Sequence, residues 1–240
     1  MSSKPTYLYY PDDSVRSEEW YQDGVLHRDG APAITEYRED GSIRWEAWYQ
    51  NGKCHRDNEP AETWYNPDGN IQYEAWYRDG KRHREDGPAV TVYYKDGTPS
   101  WETWWQDGKK HREDGPSSID YSEDGKIMHE AWYQHGLHHR DGAPASIFYY
   151  PDGGIETELW LQHNKDYRDN GPTYVKYYPD GTISDEAWFQ DGNLHRVDGP
   201  AITHYFEDGS IEREGWFQNG KEIKTTSKPD ISTPDRGVEL

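Results

Sequence analysis

The stretch WYRDGKRHREDGPA, Trp76–Ala89, decides the fold, because variants of it recur along the whole chain. Tryptophan stands at 20, 48, 76, 104, 132, 160, 188 and 216, a constant step of 28 residues with no insertion or deletion. Self-similarity at a fixed step of this length marks a repeat protein, whose small unit cannot bury its own surface and stacks on its neighbours. Eight units run from about Lys4 to Ser227, followed by the tail Lys228–Leu240. The tail has two prolines and no aromatic residue, so disorder is expected there. In the last unit Ile223-Lys224 replaces His-Arg, which suggests that this end caps itself.

From its proline, each unit reads as a strand, a turn, a second strand and a linking loop. The unit that opens at Pro88 gives Pro88–Tyr94, then Asp96-Gly97, then Pro99–Trp105, then the loop Asp107–Gly115. Asp-Gly between strand-like runs is the strongest short hairpin signal, since a type I′ turn needs positive φ at both central residues. It recurs in every unit but the first, where Asp12-Asp13 stands instead. With Asp40-Gly41 as a two-residue turn, Ala33 faces Trp48, Thr35 faces Glu46 and Tyr37 faces Arg44. The fold class expected is therefore all-β: an elongated, twisted antiparallel sheet of about eight β-hairpin repeats, roughly 75 Å long at the usual strand spacing.

This register separates two faces. One carries the constant residues: a small residue, Thr or Ile, and columns of Tyr, Glu and Trp. The His-Arg of each loop is placed so that Arg folds back on the Glu column. Arg56, Arg84 and Arg112 with Glu46, Glu74 and Glu102 would then form a ladder of bidentate pairs. The other face carries a cross-strand pair that changes from unit to unit, such as Glu36 with Trp45, Trp64 with Tyr73 and Val92 with Trp101. Four tryptophans lie outside the periodic column: Trp45, Trp64, Trp101 and Trp105. Together with Tyr73 they fall on this variable face, and clustered Trp and Tyr are characteristic anchors of protein contacts. These five residues form the candidate partner-binding site.

Composition narrows the function. The formal net charge is −20, and the acidic excess sits in the repeats, a sign that repels nucleic-acid backbones and acidic membranes. Twelve Trp and 20 Tyr, placed periodically, argue for a folded sheet despite the low hydrophobicity. The single Cys54 rules out an intramolecular disulfide, and no apolar run approaches a membrane span, so a cytoplasmic protein is expected. No catalytic residue, metal site or cofactor is expected. Cys54 and His55 are neighbours in an extended chain and point apart, and the loop histidines recur only once per unit.

The segments Trp48-Tyr49-Gln50-Asn51-Gly52 and Trp132-Tyr133-Gln134-His135-Gly136 resemble the MORN repeat and its variants. The unit is closer still to a group of phage, giant-virus and bacterial proteins built from W-Y-x-x-G-x-x-H-R-x-D-G-P-A repeats. That resemblance implies an elongated, non-enzymatic sheet used for protein contacts or self-association. The function expected is a protein-binding module. In a sharper version it is a viral or phage inhibitor that occludes a host factor, or whose carboxylates imitate a nucleic-acid backbone before a host nucleic-acid enzyme. The alternative is a binder or sponge for a small ligand such as a nucleotide, held by Arg and aromatic side chains.

Overall fold

The computed structural model describes residues 4–227, so the expectation for the tail lies outside the described residues. The protein is all-β, with one long open antiparallel sheet of 17 strands made of hairpins. Successive strands pair in chain order, from Pro5–Tyr9 at one end to Lys221–Ser227 at the other. The expected register is found over most of each hairpin. Thr35 faces Glu46 and Glu36 faces Trp45, but Tyr37 then pairs with Ile43 rather than Arg44, because a bulge intervenes.

The bulge has a local cause. Gly41 N–H donates to the carbonyl of Arg38 at 2.9 Å and Arg38 N–H to that of Ser42 at 2.8 Å, closing a turn centred on Glu39-Asp40 with Gly41 after it at φ +80°. This is a type I turn with a glycine bulge, not the two-residue type I′ turn that Asp-Gly suggested. The Asp side chain favours it: Asp40 Oδ1 accepts from the Ser42 N–H at 2.9 Å and hydroxyl at 2.6 Å. Asp96 with Thr98 and Asp180 with Thr182 repeat the arrangement, and these bonds hold the Asp carboxyls below their usual range. In the first unit Asp13, at φ 66°, takes the glycine's place.

The type I′ turn does occur, in the segment expected to be only a linking loop. Tyr49–Gln50 and Lys53–Cys54 form a second, shorter hairpin around Asn51-Gly52, whose φ values are 48° and 76°. Asp79-Gly80 and Asp107-Gly108 do the same. Each unit is thus two hairpins, one long and one short. The short ones are laced to each other: Gly80 N–H donates to the Cys54 carbonyl at 2.9 Å, and Gly108 N–H to that of Arg82 at 2.9 Å. In the last unit the second hairpin lengthens instead, and Lys221–Ser227 pairs along Ile211–Gln218 as a further strand of the main sheet.

A single layer has no second sheet to pack against, so its tightest packing lies where the two hairpins meet. Ala33, Ala61, Ala89, Ala145 and Ala201 sit at that corner with no exposure, and Ser117 replaces them in the fifth unit. There the backbone is closed on both sides. Ala89 N–H donates to the Thr103 carbonyl at 2.8 Å, and its own carbonyl accepts from Trp76 N–H at 2.7 Å.

The constant face is a ladder of different composition from the one expected. Each loop arginine lies flat on its unit's tryptophan, with the guanidinium carbon 3.7 Å from the Trp48 ring for Arg56 and 3.9 Å from Trp76 for Arg84. Its hydrogen bonds go to its own loop: Arg84 Nη1 to the Pro88 carbonyl at 3.3 Å and Nε to Asp86 at 2.9 Å. Arg56 pairs with Glu59, and Arg112 with Asp114. Gly87 permits this, since a Cβ there would stand 2.9 Å from the Arg84 guanidinium carbon. The expected Arg–Glu ladder over Glu46, Glu74, Glu102, Arg56, Arg84 and Arg112 is therefore corrected. The guanidinium donors are taken up by loop carbonyls and loop carboxylates, and among the described residues only Arg28, stacked in the same way on Trp20, reaches its column glutamate, Glu18, at 3.3 Å.

The Glu column is met instead by tyrosine from the next unit. Tyr65 donates to Glu46 at 2.8 Å, Tyr93 to Glu74 at 2.7 Å and Tyr121 to Glu102 at 2.8 Å, and the pattern continues through Tyr149, Tyr177 and Tyr205. The loop histidines add a second stitch across units: Asn51 N–H donates to His27 Nδ1, Asp79 N–H to His55 Nδ1 and Asp107 N–H to His83 Nδ1. Lys224 lies over Trp216 where the other units have arginine, completing the column at the C-terminal end.

Candidate interaction face

The pairs that vary within units are joined between units. Strand by strand, one row reads Ser17, Glu36, Trp45, Trp64, Tyr73, Val92, Trp101, Asp120, His129, Phe148, Thr157, Lys176, Asp185, His204 and Arg213, each directly opposite the next. Sequence reasoning missed this continuity because the linking segment was read without structure, which left the register between units open.

Four of the five candidate anchors thus fall on one stretch of the row. Trp45, Trp64 and Tyr73 lie on consecutive strands, with Val92 between Tyr73 and Trp101. The Trp45 and Trp64 rings are tilted against each other at 5.5 Å between centroids. Trp105 is off the row, in the short hairpin, but on the same side: Lys110 Nζ lies over both Trp101 and Trp105, at 5.5 and 5.9 Å. All five are half-buried. Glu62 ties the block together, as its carboxylate accepts from the Trp64 indole N–H at 2.9 Å and from the Trp45 indole N–H and Tyr77 hydroxyl at 3.3 Å each. Burial and an adjacent glutamate push the Tyr73 phenol up to about 12, although Arg82 works against it.

Farther along, the row holds a constellation that occurs once. His129 Nδ1 is 2.8 Å from Asp120 Oδ2, and His129 Nε2 is 2.8 Å from Ser146 Oγ. This connectivity matches a nucleophile, its base and the group that orients the base. Access does not: Ser146 is 2 % exposed, and Phe148 stacks on His129 at 4.2 Å. The Ser146 strand is paired on both sides, so its backbone amides serve the ladder and are not aimed at a developing oxyanion. We expect a fluorophosphonate probe to leave Ser146 unlabelled under native conditions, as read by peptide mass spectrometry. Stoichiometric labelling abolished by His129→Ala would show an active nucleophile.

Cys54 and His55, neighbours in the chain, do not act together. Burial, with Glu62 nearby, pushes the Cys54 thiol up to about 12, which keeps it un-ionised at neutral pH. His55 turns away from it, Nδ1 to the Asp79 amide and Nε2 to Asp57 at 3.2 Å. Between neighbouring units lie shallow crevices, such as one of about 410 Å³ lined by His55, Trp76, Arg84 and Asp86. Among the described residues no three His, Cys, Asp or Glu side chains converge as metal ligands. No described helix is long and apolar enough to cross a membrane.

No family model matches the chain, and no curated protein matches it. Among solved structures, a TcdB2-TccC3-TEV crystal structure is 11% identical over 90% of this chain and 15% of that one, with a TM-score of 0.16. A TcdB2-TccC3 crystal structure is 10% identical over 93% of this chain and 18% of that one, also with a TM-score of 0.16. The chain spans less than a fifth of either, and an overlap of this quality says nothing about fold or function.

Proposed function

We propose that the protein is a docking scaffold for another protein: the constant face makes the sheet rigid and the variable row recognises the partner. The observation that carries this reading is the block Trp45–Trp64–Tyr73–Val92–Trp101, contiguous across five strands in a sheet one layer thick. Large aromatic side chains repeated on adjacent strands give a rigid apolar strip about 19 Å long, the size of the anchor region in a standard interface. Charges of both signs border it: Glu62 accepts from the Trp45 and Trp64 indoles, Arg44 lies over Trp64 and Lys110 over Trp101. The partner that fits is an apolar patch with a mixed charged rim, held by the tryptophans. A viral or phage inhibitor of a host protein would use the same face.

Affinity capture from lysate of the encoding organism's cells, wild type beside Trp64→Ala/Trp101→Ala, tests the reading at low and high salt. We expect a partner that survives high salt and whose capture falls at least about tenfold in the double variant. A partner held equally by the variant and released by salt would move the binding to the acidic loops, as in imitation of a nucleic-acid backbone. Failure of the wild type to retain any protein would overturn the proposal.

A further inference from the structure

The short hairpins of the third, fourth and fifth units carry Arg82, Lys110 and His138 at the position occupied by Leu26, Cys54, Asp166 and Leu194 elsewhere. Backbone hydrogen bonds from Gly108 to the Arg82 carbonyl (2.9 Å) and from Gly136 to the Lys110 carbonyl (2.8 Å) place these hairpins directly side by side. Three basic groups therefore sit together in a chain of 46 acidic and 26 basic residues.

Neither Arg82 nor Lys110 makes an ion pair among the described residues. Arg82 donates to the hydroxyls of Tyr73 at 3.1 Å and Tyr77 at 3.3 Å, and its guanidinium carbon is 5.2 Å from the Trp105 ring. Lys110 Nζ meets only rings, Tyr133 at 4.8 Å, Trp101 at 5.5 Å and Trp105 at 5.9 Å. The two nearby carboxylates are engaged with other groups, Glu62 with the indoles of Trp45 and Trp64 and Asp120 with His129. Burial holds Lys110 below its usual range, and burial with Lys110 beside it does the same to His138. Like charges gathered and partly desolvated cost free energy in the empty state, and an anion arriving among them removes that cost.

We propose that Arg82, Lys110 and His138, with Trp101, Trp105 and Tyr133, bind a small molecule that joins a phosphate to an aromatic ring, of the nucleoside monophosphate class. Two or three adjacent cations match a group bearing nearly two negative charges, as phosphate does near neutral pH, better than a single carboxylate. The guanidinium supplies a planar fork for phosphate oxygens and the ammonium a point charge. The ring faces now covered by the cations become stacking surfaces once the phosphate draws the cations aside. The net charge of −20 does not forbid this, since screening over about 8 Å at physiological salt leaves the local sign in control.

The test follows the indole N–H signals of the full chain by NMR while AMP, phenyl phosphate, adenosine or inorganic phosphate is added. AMP and phenyl phosphate should move the Trp101 and Trp105 signals saturably at submillimolar concentration, with adenosine and inorganic phosphate at least about tenfold weaker. Arg82→Gln and Lys110→Gln should each weaken AMP about tenfold, while Lys165→Gln, on the exposed rim of another short hairpin, should leave it unchanged. Shifts spread evenly over all tryptophans, binding of inorganic phosphate as tight as that of AMP, or AMP binding by both variants as tight as by the wild type would overturn the proposal. It stands apart from protein docking, because no partner is needed to see it.

Discussion

Raising the pH should leave the protein folded to about pH 10 and then unfold it steeply before or near pH 12, with the release of several protons. The cause is the tyrosine ladder. Tyr177 and Tyr205 are pushed up to about 12, and Tyr65, Tyr93, Tyr121 and Tyr149 further still, first by burial and then by the glutamate to which each donates a hydrogen bond. Above about pH 10 the phenols of the unfolded chain ionise while the folded ones stay protonated, so each further rise in pH favours the unfolded state. Their contribution is therefore complete below pH 10, and it is lost as pH rises through the folded values. An ionised phenol beside Glu74 or Glu102 would also set two anions against each other. Circular dichroism recorded with tyrosinate absorbance should show both changing together, and Tyr93→Phe/Tyr121→Phe should lower the number of protons released by about two. Tyrosinate absorbance that completes its rise with the sheet intact would contradict this account.

The second large effect is expected at the corner between the hairpins. Ala89 has no exposure and both its backbone groups are bonded, so Ala89→Leu has no cavity to enter and should cost about 3 kcal/mol. In a linear array such damage is local, and the interface next to it is the one that yields. The blocks on either side retain several units each, so melting should split into two transitions, with hydrogen exchange fastest near Trp76 and Thr103. Ala89→Ser should be nearly neutral, because Ser117 already stands at this position and accepts a hydrogen bond from the Tyr133 amide at 2.8 Å. A single transition at the wild-type temperature for Ala89→Leu would show that the corner tolerates bulk.

These features were unequally visible in the sequence. The 28-residue tryptophan step gave the architecture, and symmetry about Asp-Gly gave the Thr35–Glu46 and Glu36–Trp45 pairs. The turn rule itself was sound but applied at the wrong dipeptide. Asp40 uses its carboxylate to bridge to Ser42, which selects the bulged turn, whereas Asn51-Gly52 has positive φ at both residues. The arginines were assigned by charge to the glutamates, while an indole one strand away offered a flat surface and the loop carbonyls offered acceptors. Of the candidate site, Trp45, Trp64, Tyr73, Trp101 and Trp105 could be placed on one side from alternation alone. The links of Glu62 to Trp45, Arg82 to Trp105, Lys110 to Tyr133 and His129 to Ser146 could not, because they cross from one unit to the next. Departure from the repeat was their only signal: Glu62 stands where other units have Ile34, Val90 or Ser118.

The row on the variable face places one side chain on each strand, and no residue of the Tyr, Glu, Trp and Arg scaffold belongs to it. Its letters can therefore be rewritten while the grammar that holds the sheet together stays untouched. An in-frame duplication of any one unit would insert two letters into the text and carry with it every bond needed to seat them. Recombination between repeats, which scrambles an ordinary domain, would here edit a sentence.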